Sequence, residues 1–411
     1  MGIETVGVVG AGTMGSGIAQ LALQAGHTVL LFDADPAAVT RGRERIREGL
    51  GRRASRLDLD AAAMDGWVEE RLGRCRPVAT AHDLAAASDL VIEAVIEDLA
   101  AKQALFRAFD GGAPPDTILA TNTSALSVGA IAAGTRHPER VVGLHFFNPA
   151  PLMGLVEVVV APATDPAVAD RACAIVEAWG KTAVRCTDSP GFIVNRVNRP
   201  FTLEALDIVR AGGATVDRID RVVGAAGFPM GPFELMDLVG LDINLAAARG
   251  IFEAFVAAGD PLADRSMPSP IQERMVMAGH LGRKMGGGFY AYDPTGRPTG
   301  PARQWDVPED PELAIDDARI VDRIVLAIVN EAYRALGDGV ATAADIDLAL
   351  PLGVGHAVGP FERVARSGGP AAILAELRRY GSMGPRFVPA PALIAAAARR
   401  ARSQPRATIT S

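Results

Sequence analysis

Thr5-Val-Gly-Val-Val-Gly-Ala-Gly-Thr-Met-Gly-Ser-Gly-Ile-Ala-Gln20 reads as a short apolar strand running into a Gly-rich turn and then a helix. Gly10, Gly12 and Gly15 stand in GxGxxG register, with Thr13 and Met14 filling the turn between them. Gly10 permits the tight turn, Gly12 lets the backbone approach a pyrophosphate, and Gly15 lets the helix pack close to the strand, so that the helix N-terminal amides face the anion. The next apolar run, Thr28 to Phe32, is followed by Asp33, 23 residues after Gly10, where a ribose-binding acid belongs. A carboxylate there accepts hydrogen bonds from a free 2′-hydroxyl and repels a 2′-phosphate. No Arg stands beside it in Phe-Asp-Ala-Asp-Pro, so the cofactor expected is NAD rather than NADP.

Beyond this turn, short β-rich runs alternate with helical stretches up to about Asp188. The expected strands are Val6 to Val9, Thr28 to Phe32, Val78 to Thr80, Leu90 to Glu93, Ile118 to Ala120, Val141 to His145, Leu155 to Val160 and Thr182 to Arg185. That alternation implies an α/β doubly wound, Rossmann-like sheet. From Gly191 the pattern is helical almost throughout, broken at Gly231-Pro232 and Gly359-Pro360, with a Pro/Gly-rich stretch from Asp293 to Pro311 that reads as a linker.

The helical part repeats itself. Glu204-Ala-Leu, Asp217-Arg-Ile-Asp220 and Gly231-Pro-Phe-Glu234 recur in the same order as Glu331-Ala-Tyr, Ala344-Asp-Ile-Asp347 and Gly359-Pro-Phe-Glu362. Glu204 to Asp220 and Glu331 to Asp347 are both 16 apart, and the later step grows from 11 to 12 residues. Two related all-α domains are therefore expected after the sheet domain. The expected division is a sheet domain at 1–188, a first helical copy at 189–293, a linker at 294–314 and a second, degenerate copy at 315–411.

Composition limits the function classes. The 411 residues carry a formal charge of −7 with a pI near 5.5, which suits neither nucleic acid nor an anionic membrane surface as partner. Cys75, Cys173 and Cys186 form no CxxC pair or disulfide framework, so a reducing compartment, the cytoplasm, is expected, with no metal site. Met1-Gly-Ile-Glu-Thr-Val does not read as a signal peptide and the Thr-Ile-Thr-Ser end does not read as a peroxisomal address, so neither is expected.

Of the six histidines, His145 stands apart. It closes the apolar run Val-Val-Gly-Leu and opens Phe-Phe-Asn-Pro, at the strand end where open α/β sheets place ligands. An imidazole there takes a proton from a hydroxyl as hydride leaves the same carbon. Glu157, inside the apolar Leu-Val-Glu-Val-Val-Val, needs a partner to be buried, and His145 is the nearest in sequence; an edge-strand Glu facing water is the alternative. Asn122 and Ser124 follow another strand, and Asn195 lies early in the first helix after the sheet domain; each is either a ligand contact or a cap.

GAGTMGSGIAQ, the Asp33 strand end, IEAVIED, NTSAL, GLHFFNPAPLMGLVEV, SPGFIVNRV, GPFEL and GRKMGGGFY together resemble the L-3-hydroxyacyl-CoA dehydrogenase family over residues 3 to 293. The second helical copy looks like the extra domain of tandem members, among them bacterial 3-hydroxybutyryl-CoA and 3-hydroxyadipyl-CoA dehydrogenases. The resemblance implies NAD-dependent, reversible oxidation of an L-3-hydroxyacyl-CoA, with His145 as base, Glu157 its partner, and Ser124 and Asn195 fixing the substrate. It also implies that Glu97, Lys102, Asn122, Ser124 and Asn148 help hold the nicotinamide half of the cofactor.

Seven Arg (41, 43, 45, 47, 52, 53, 56) stand between 41 and 56 against Glu44 and Glu48, an arm suited to the phosphates of CoA. Most read as a solvated helix face. Arg56 is the favoured contact, because its spacing from Asp33 resembles the family's. A gulonate-type hydroxyacid dehydrogenase on the same scaffold and a non-catalytic NAD-binding protein are the competing readings. A 6-phosphogluconate-type enzyme is disfavoured, since Phe192 to Leu203 has no Lys. The acyl-CoA is the expected partner, no membrane or nucleic acid is, and a homodimer is left open. One active site per chain is expected, because Asp322 falls where the first copy has Asn195.

Overall fold

Eight strands form one sheet in the computed structural model, which describes residues 3–305 and 309–403. The tail from 404 and residues 306–308 of the expected linker lie outside the described residues. The chain divides into two compact units, Met1–Phe192 and Ile193–Ser411.

The first unit is the doubly wound α/β sheet. Its strands are β1 (Thr5–Val9), β2 (Thr28–Phe32), β3 (Cys75–Pro77), β4 (Leu90–Glu93), β5 (Ile118–Thr121), β6 (Val141–Phe146), β7 (Leu155–Val160) and β8 (Thr182–Thr187), in the spatial order β3-β2-β1-β4-β5-β6-β7-β8. Helices α1 (Thr13–Gln24), α2 (Pro36–Ala54), α3 (Ala61–Gly73), α4 (Ala81–Ala86), α5 (Leu99–Gly112), α6 (Val128–Ala132) and α7 (Pro166–Ala178) connect them. All neighbouring strands run parallel except β6 and β7, which are antiparallel. Val6, Val8, Val29, Leu31, Ile92, Ile118, Val142 and Val158 pack with Ile18, Ala22 and Leu50 into one core, as expected when helices cover both faces of a parallel sheet.

One strand is displaced from its expected place. The sequence suggests Val78 to Thr80, but the strand is Cys75–Pro77, beside β2. Thr80 is unavailable to it, because its hydroxyl caps α4 by accepting from Asp83 N at 3.0 Å.

The second unit is helical: α8 (Val194–Val197), α9 (Arg199–Arg210), α10 (Val216–Ala225), α11 (Pro232–Val239), α12 (Leu241–Ala257), α13 (Pro270–Met277), α14 (Asp317–Gly337), α15 (Ala343–Val354), α16 (Pro360–Arg366), α17 (Pro370–Arg379) and α18 (Pro391–Ser403). A small hairpin, β9 (Tyr290–Tyr292) with β10 (Pro298–Pro301), occupies part of the stretch that reads as a linker. The Gly-Pro pairs start helices rather than interrupt them, with Gly231 and Gly359 as N-caps and the prolines in the first turn.

Both Gly-Pro turns are built alike. Asp220 accepts from Phe233 N (3.0 Å) and Glu234 N (2.9 Å), and Asp347 accepts from Phe361 N (2.7 Å) and Glu362 N (2.9 Å). A Cβ on Gly231 would fall 2.2 Å from Asp220 Cγ, and one on Gly359 2.4 Å from Asp347 Oδ1. Among the described residues no helix is long and apolar enough to cross a membrane.

Candidate active site

The Gly-rich turn has the shape its sequence suggests. Gly10 has φ +101°, and a Cβ there would meet Ala94 O at 2.4 Å; one on Gly15 would meet Gly10 O at 1.8 Å, so helix and strand touch backbone to backbone. A Cβ on Gly12 meets nothing within 4 Å. Gly12 is also the N-cap of α1 and makes no side-chain cap, so the N-cap leaves the first amides of this twelve-residue helix uncapped. The residues present therefore fit a dinucleotide pyrophosphate. Asp33 closes the turn: Oδ2 accepts from Ala11 N at 2.8 Å and Oδ1 from Asp35 N at 3.0 Å. Arg45, which the motif does not predict, reaches back from α2 to donate to Ala11 O at 3.1 Å.

At the ends of β4 and β5 a buried acid–base cluster forms. Glu93, fully buried, accepts from Lys102 Nζ at 2.6 Å, Thr121 Oγ1 at 2.7 Å and Val95 N at 2.8 Å. Lys102 is itself buried and lies 3.3 Å from Glu97. Glu97 accepts from Thr123 Oγ1 (2.6 Å), Ser124 N (2.9 Å), Ala125 N (3.2 Å) and Ser124 Oγ (3.4 Å). Burial pushes the Glu97 carboxyl upward, but Lys102 and these donors outweigh it and hold the group below the usual range. The structure thus brings Glu97, Lys102 and Ser124 together and places Lys102 beneath the loop, between two carboxylates. Glu93 is missing from the sequence reading. Its signal is an acid closing an apolar strand, Leu90-Val-Ile-Glu93, nine residues before a Lys.

Asn122 ties this corner to the next strand, its Oδ1 accepting from Phe146 N at 2.9 Å. Asn148 is exposed just beyond β6.

His145 and Glu157 are direct cross-strand partners on the antiparallel pair β6 and β7. His145 Nδ1 lies 2.6 Å from Glu157 Oε2. Alternation puts Val142, Leu144 and Phe146 into the core and His145 on the opposite face. There the Phe147 and Phe192 rings lie 4.5 and 5.8 Å from the imidazole. A carboxylate at that distance suits a proton on Nδ1, the tautomer in which Nε2 carries the lone pair.

A cleft of about 710 Å³ opens elsewhere on this unit, lined among others by Gln20, Arg45, Arg53, Arg56, Leu152 and Lys181. Most of the arginine arm is already engaged: Arg41 with Asp35, Arg43 with Cys75 O, Arg45 with Ala11 O, Arg47 with Glu69, and Arg52 with Glu48 at 3.7 Å. Arg53 and Arg56 have no ion-pair partner among the described residues, and both line the cleft. Lys181 donates to Pro151 O (3.0 Å) and Met153 O (2.8 Å), and burial lowers its pKa.

Asn195 belongs to the second unit, as the second residue of α8. Its neighbour Arg196 is buried and donates to Glu331 Oε1 at 2.9 Å.

Comparison with known proteins places this geometry. Residues 5–189 match the family model described as the 3-hydroxyacyl-CoA dehydrogenase NAD binding domain, and residues 191–292 and 320–379 match that family's C-terminal domain. The chain is 47% identical over 289 residues to the 3-hydroxyadipyl-CoA dehydrogenase of Escherichia coli (strain K12), covering 70% of this chain but 59% of that protein's length. It is 44% identical over 298 residues to a 3-hydroxybutyryl-CoA dehydrogenase of Mycobacterium tuberculosis (strain ATCC 25618 / H37Rv), covering 71% of this chain and 99% of that protein. The crystal structure of a 3-hydroxybutyryl-CoA dehydrogenase from Escherichia coli K12 superposes with a TM-score of 0.86 at 34% identity, covering 98% of this chain and all of that one. With both domain models matched in order and the Gly-rich turn shaped for a dinucleotide, the chain belongs to the 3-hydroxyacyl-CoA dehydrogenase family, as an NAD-dependent enzyme.

Proposed function

We propose that the chain oxidises the 3-hydroxyl of an L-3-hydroxyacyl-CoA to the 3-oxo compound, reversibly, with His145 as general base. The observation that carries this reading is the 2.6 Å contact between His145 Nδ1 and Glu157 Oε2 at the ligand end of β6. His145 Nε2 takes the hydroxyl proton, and Glu157 holds the ring and stabilises the imidazolium that forms. Bound NAD supplies the acceptor for the hydride that leaves C3. Ser124 and Asn195 fix the hydroxyl and the thioester end of the substrate. Glu97, anchored by Lys102, sets the Ser124 loop, while Asn122 and Asn148 border the nicotinamide half.

Arg53 and Arg56 are read as the contacts to the CoA phosphates, since among the described residues they are the members of the arm with neither an ion-pair partner nor a bonded carbonyl, and both line the cleft. The division into a sheet domain (1–188), a first helical copy (189–293), a linker (294–314) and a second copy (315–411) is supported by the matched Asp220 and Asp347 turns. One active site per chain follows, because Asp322 stands where the first copy carries Asn195.

Relatives named for a four-carbon and for a dicarboxylic substrate both match, so chain length is decided by measurement. Initial rates with NAD across short, long and dicarboxylic 3-hydroxyacyl-CoAs test the reading. Turnover of at least one of them supports it, and no turnover of any by folded protein overturns it.

A further inference from the structure

Asn195 sits on a four-residue helical turn, Val194–Val197, with a break in regular helix on either side. Gly191 and Phe192, just before it, have φ of +74° and +50°, the second a strained value for a residue with a side chain. On the other side the helix is interrupted at Asn198, and Pro200 follows in the first turn of α9, where it offers no N–H to the preceding turn. At the matching place in the second copy stands Ala327, and α14 runs through unbroken for 21 residues. A single four-residue turn has no stability of its own, so its geometry is set by what packs on it.

Two residues on the C-terminal side of Asn195, its neighbour Arg196 and Asn198 three residues on, are held by the second copy. Arg196 donates to Glu331 on α14 at 2.9 Å and also pairs with Asp338 at the end of that helix. His356, just after α15, places Nε2 3.0 Å from Asn198 Oδ1. The imidazole is buried against the rings of Phe228 (4.8 Å) and Phe201 (6.3 Å). Burial and the nearby Arg363 push its pKa down to about 4, so it remains a neutral N–H donor across the working range.

We propose that the second helical copy positions the substrate-binding turn of the first, with Glu331 and His356 holding Arg196 and Asn198 so that Asn195 is presented from a fixed backbone. Both are positioning residues. The proposal rests on the reading of Asn195 as a substrate contact. It gives the second copy, which lacks that asparagine, a task in the reaction.

The test uses the full chain, a 3-oxoacyl-CoA and NADH. His356→Phe keeps an aromatic ring against Phe228 and removes the donor; Asn198→Ala removes the acceptor. Each is expected to raise KM for the acyl-CoA fivefold or more, leaving the dissociation constant of NADH within twofold. The double variant should be little worse than either single, because the two act through one bond. His356→Gln, which restores an amide donor, should recover part of the loss. Glu331→Gln should move the same constant in the same direction. Wild-type KM and kcat in folded His356→Phe, alongside a damaged Asn195→Ala, would overturn the positioning role while leaving the Asn195 reading intact. Wild-type kinetics in Asn195→Ala would overturn that reading and the inference with it.

Discussion

Arg196 and Arg323 occupy equivalent places, each eight residues before a buried glutamate, and each donates to the glutamate of the other helical segment: Arg196 to Glu331 and Arg323 to Glu204, both at 2.9 Å. Arg265 and Arg386 repeat the exchange, the first reaching Glu331 and the second Glu204. Residue i meets j while j meets i, the pattern of a two-fold contact between copies, here closed within one chain. All six side chains are buried or nearly so.

Removing one member of such a set leaves buried charges without partners, which costs far more than the pairing itself gains. Glu204→Leu should therefore destabilise the helical unit by about 3 to 5 kcal/mol. Urea unfolding followed by circular dichroism measures it. A midpoint unchanged from wild type would contradict the reciprocal network.

Cofactor choice is proposed to rest on Asp33, whose carboxylate accepts from the amides of Ala11 and Asp35 at the end of β2. Wild-type enzyme should prefer NAD over NADP by at least about tenfold in kcat/KM, roughly 1.4 kcal/mol. Asp33→Ala should narrow the gap. Equal use of NADP by the wild-type enzyme would refute the role given to this carboxylate.

His356 links stability to pH. Its folded-state pKa, near 4, lies below the ordinary 6.5, so between those values the unfolded chain binds a proton that the folded one refuses. Stability should thus be full above pH 6.5 and fall as pH drops toward 4, by up to about 3 kcal/mol from this one group. His356→Phe should flatten the slope of unfolding free energy over that window. A variant with the same slope as wild type would show that other groups set it.

The sheet and its ligand edge were legible because strand runs such as Val141 to His145 and Leu155 to Val160 are apolar and bounded by turn residues. Glu157 was legible for a related reason, as a charge inside an apolar run demands a partner. Glu93 was not, since an acid at a strand end has many uses and its Lys102 partner lies on the next helix. The reciprocal arginines could not be read, because Arg196 and Glu331 are 135 residues apart and nothing local marks the pairing. The hairpin at Tyr290–Tyr292 and Pro298–Pro301 was hidden by a composition rich in Gly and Pro, which reads as a linker. Asp237 pins its first strand by accepting from Phe289 N and Tyr290 N, both at 2.9 Å, a long-range cap with no sequence signature.

The central claim is that His145 removes the 3-hydroxyl proton while Glu157 holds its ring. The most direct measurement is kcat for L-3-hydroxyacyl-CoA oxidation in His145→Ala, Glu157→Gln and the double variant, with NAD affinity measured in parallel. Loss of a general base typically costs about 10² to 10⁴ in rate, roughly 2.7 to 5.5 kcal/mol, and His145→Ala should fall in that range with NAD affinity nearly intact. Glu157→Gln should also impair kcat, and the double variant should be little worse than the poorer single. Near-wild-type turnover in folded His145→Ala, or fully additive losses in the double variant, would contradict the account.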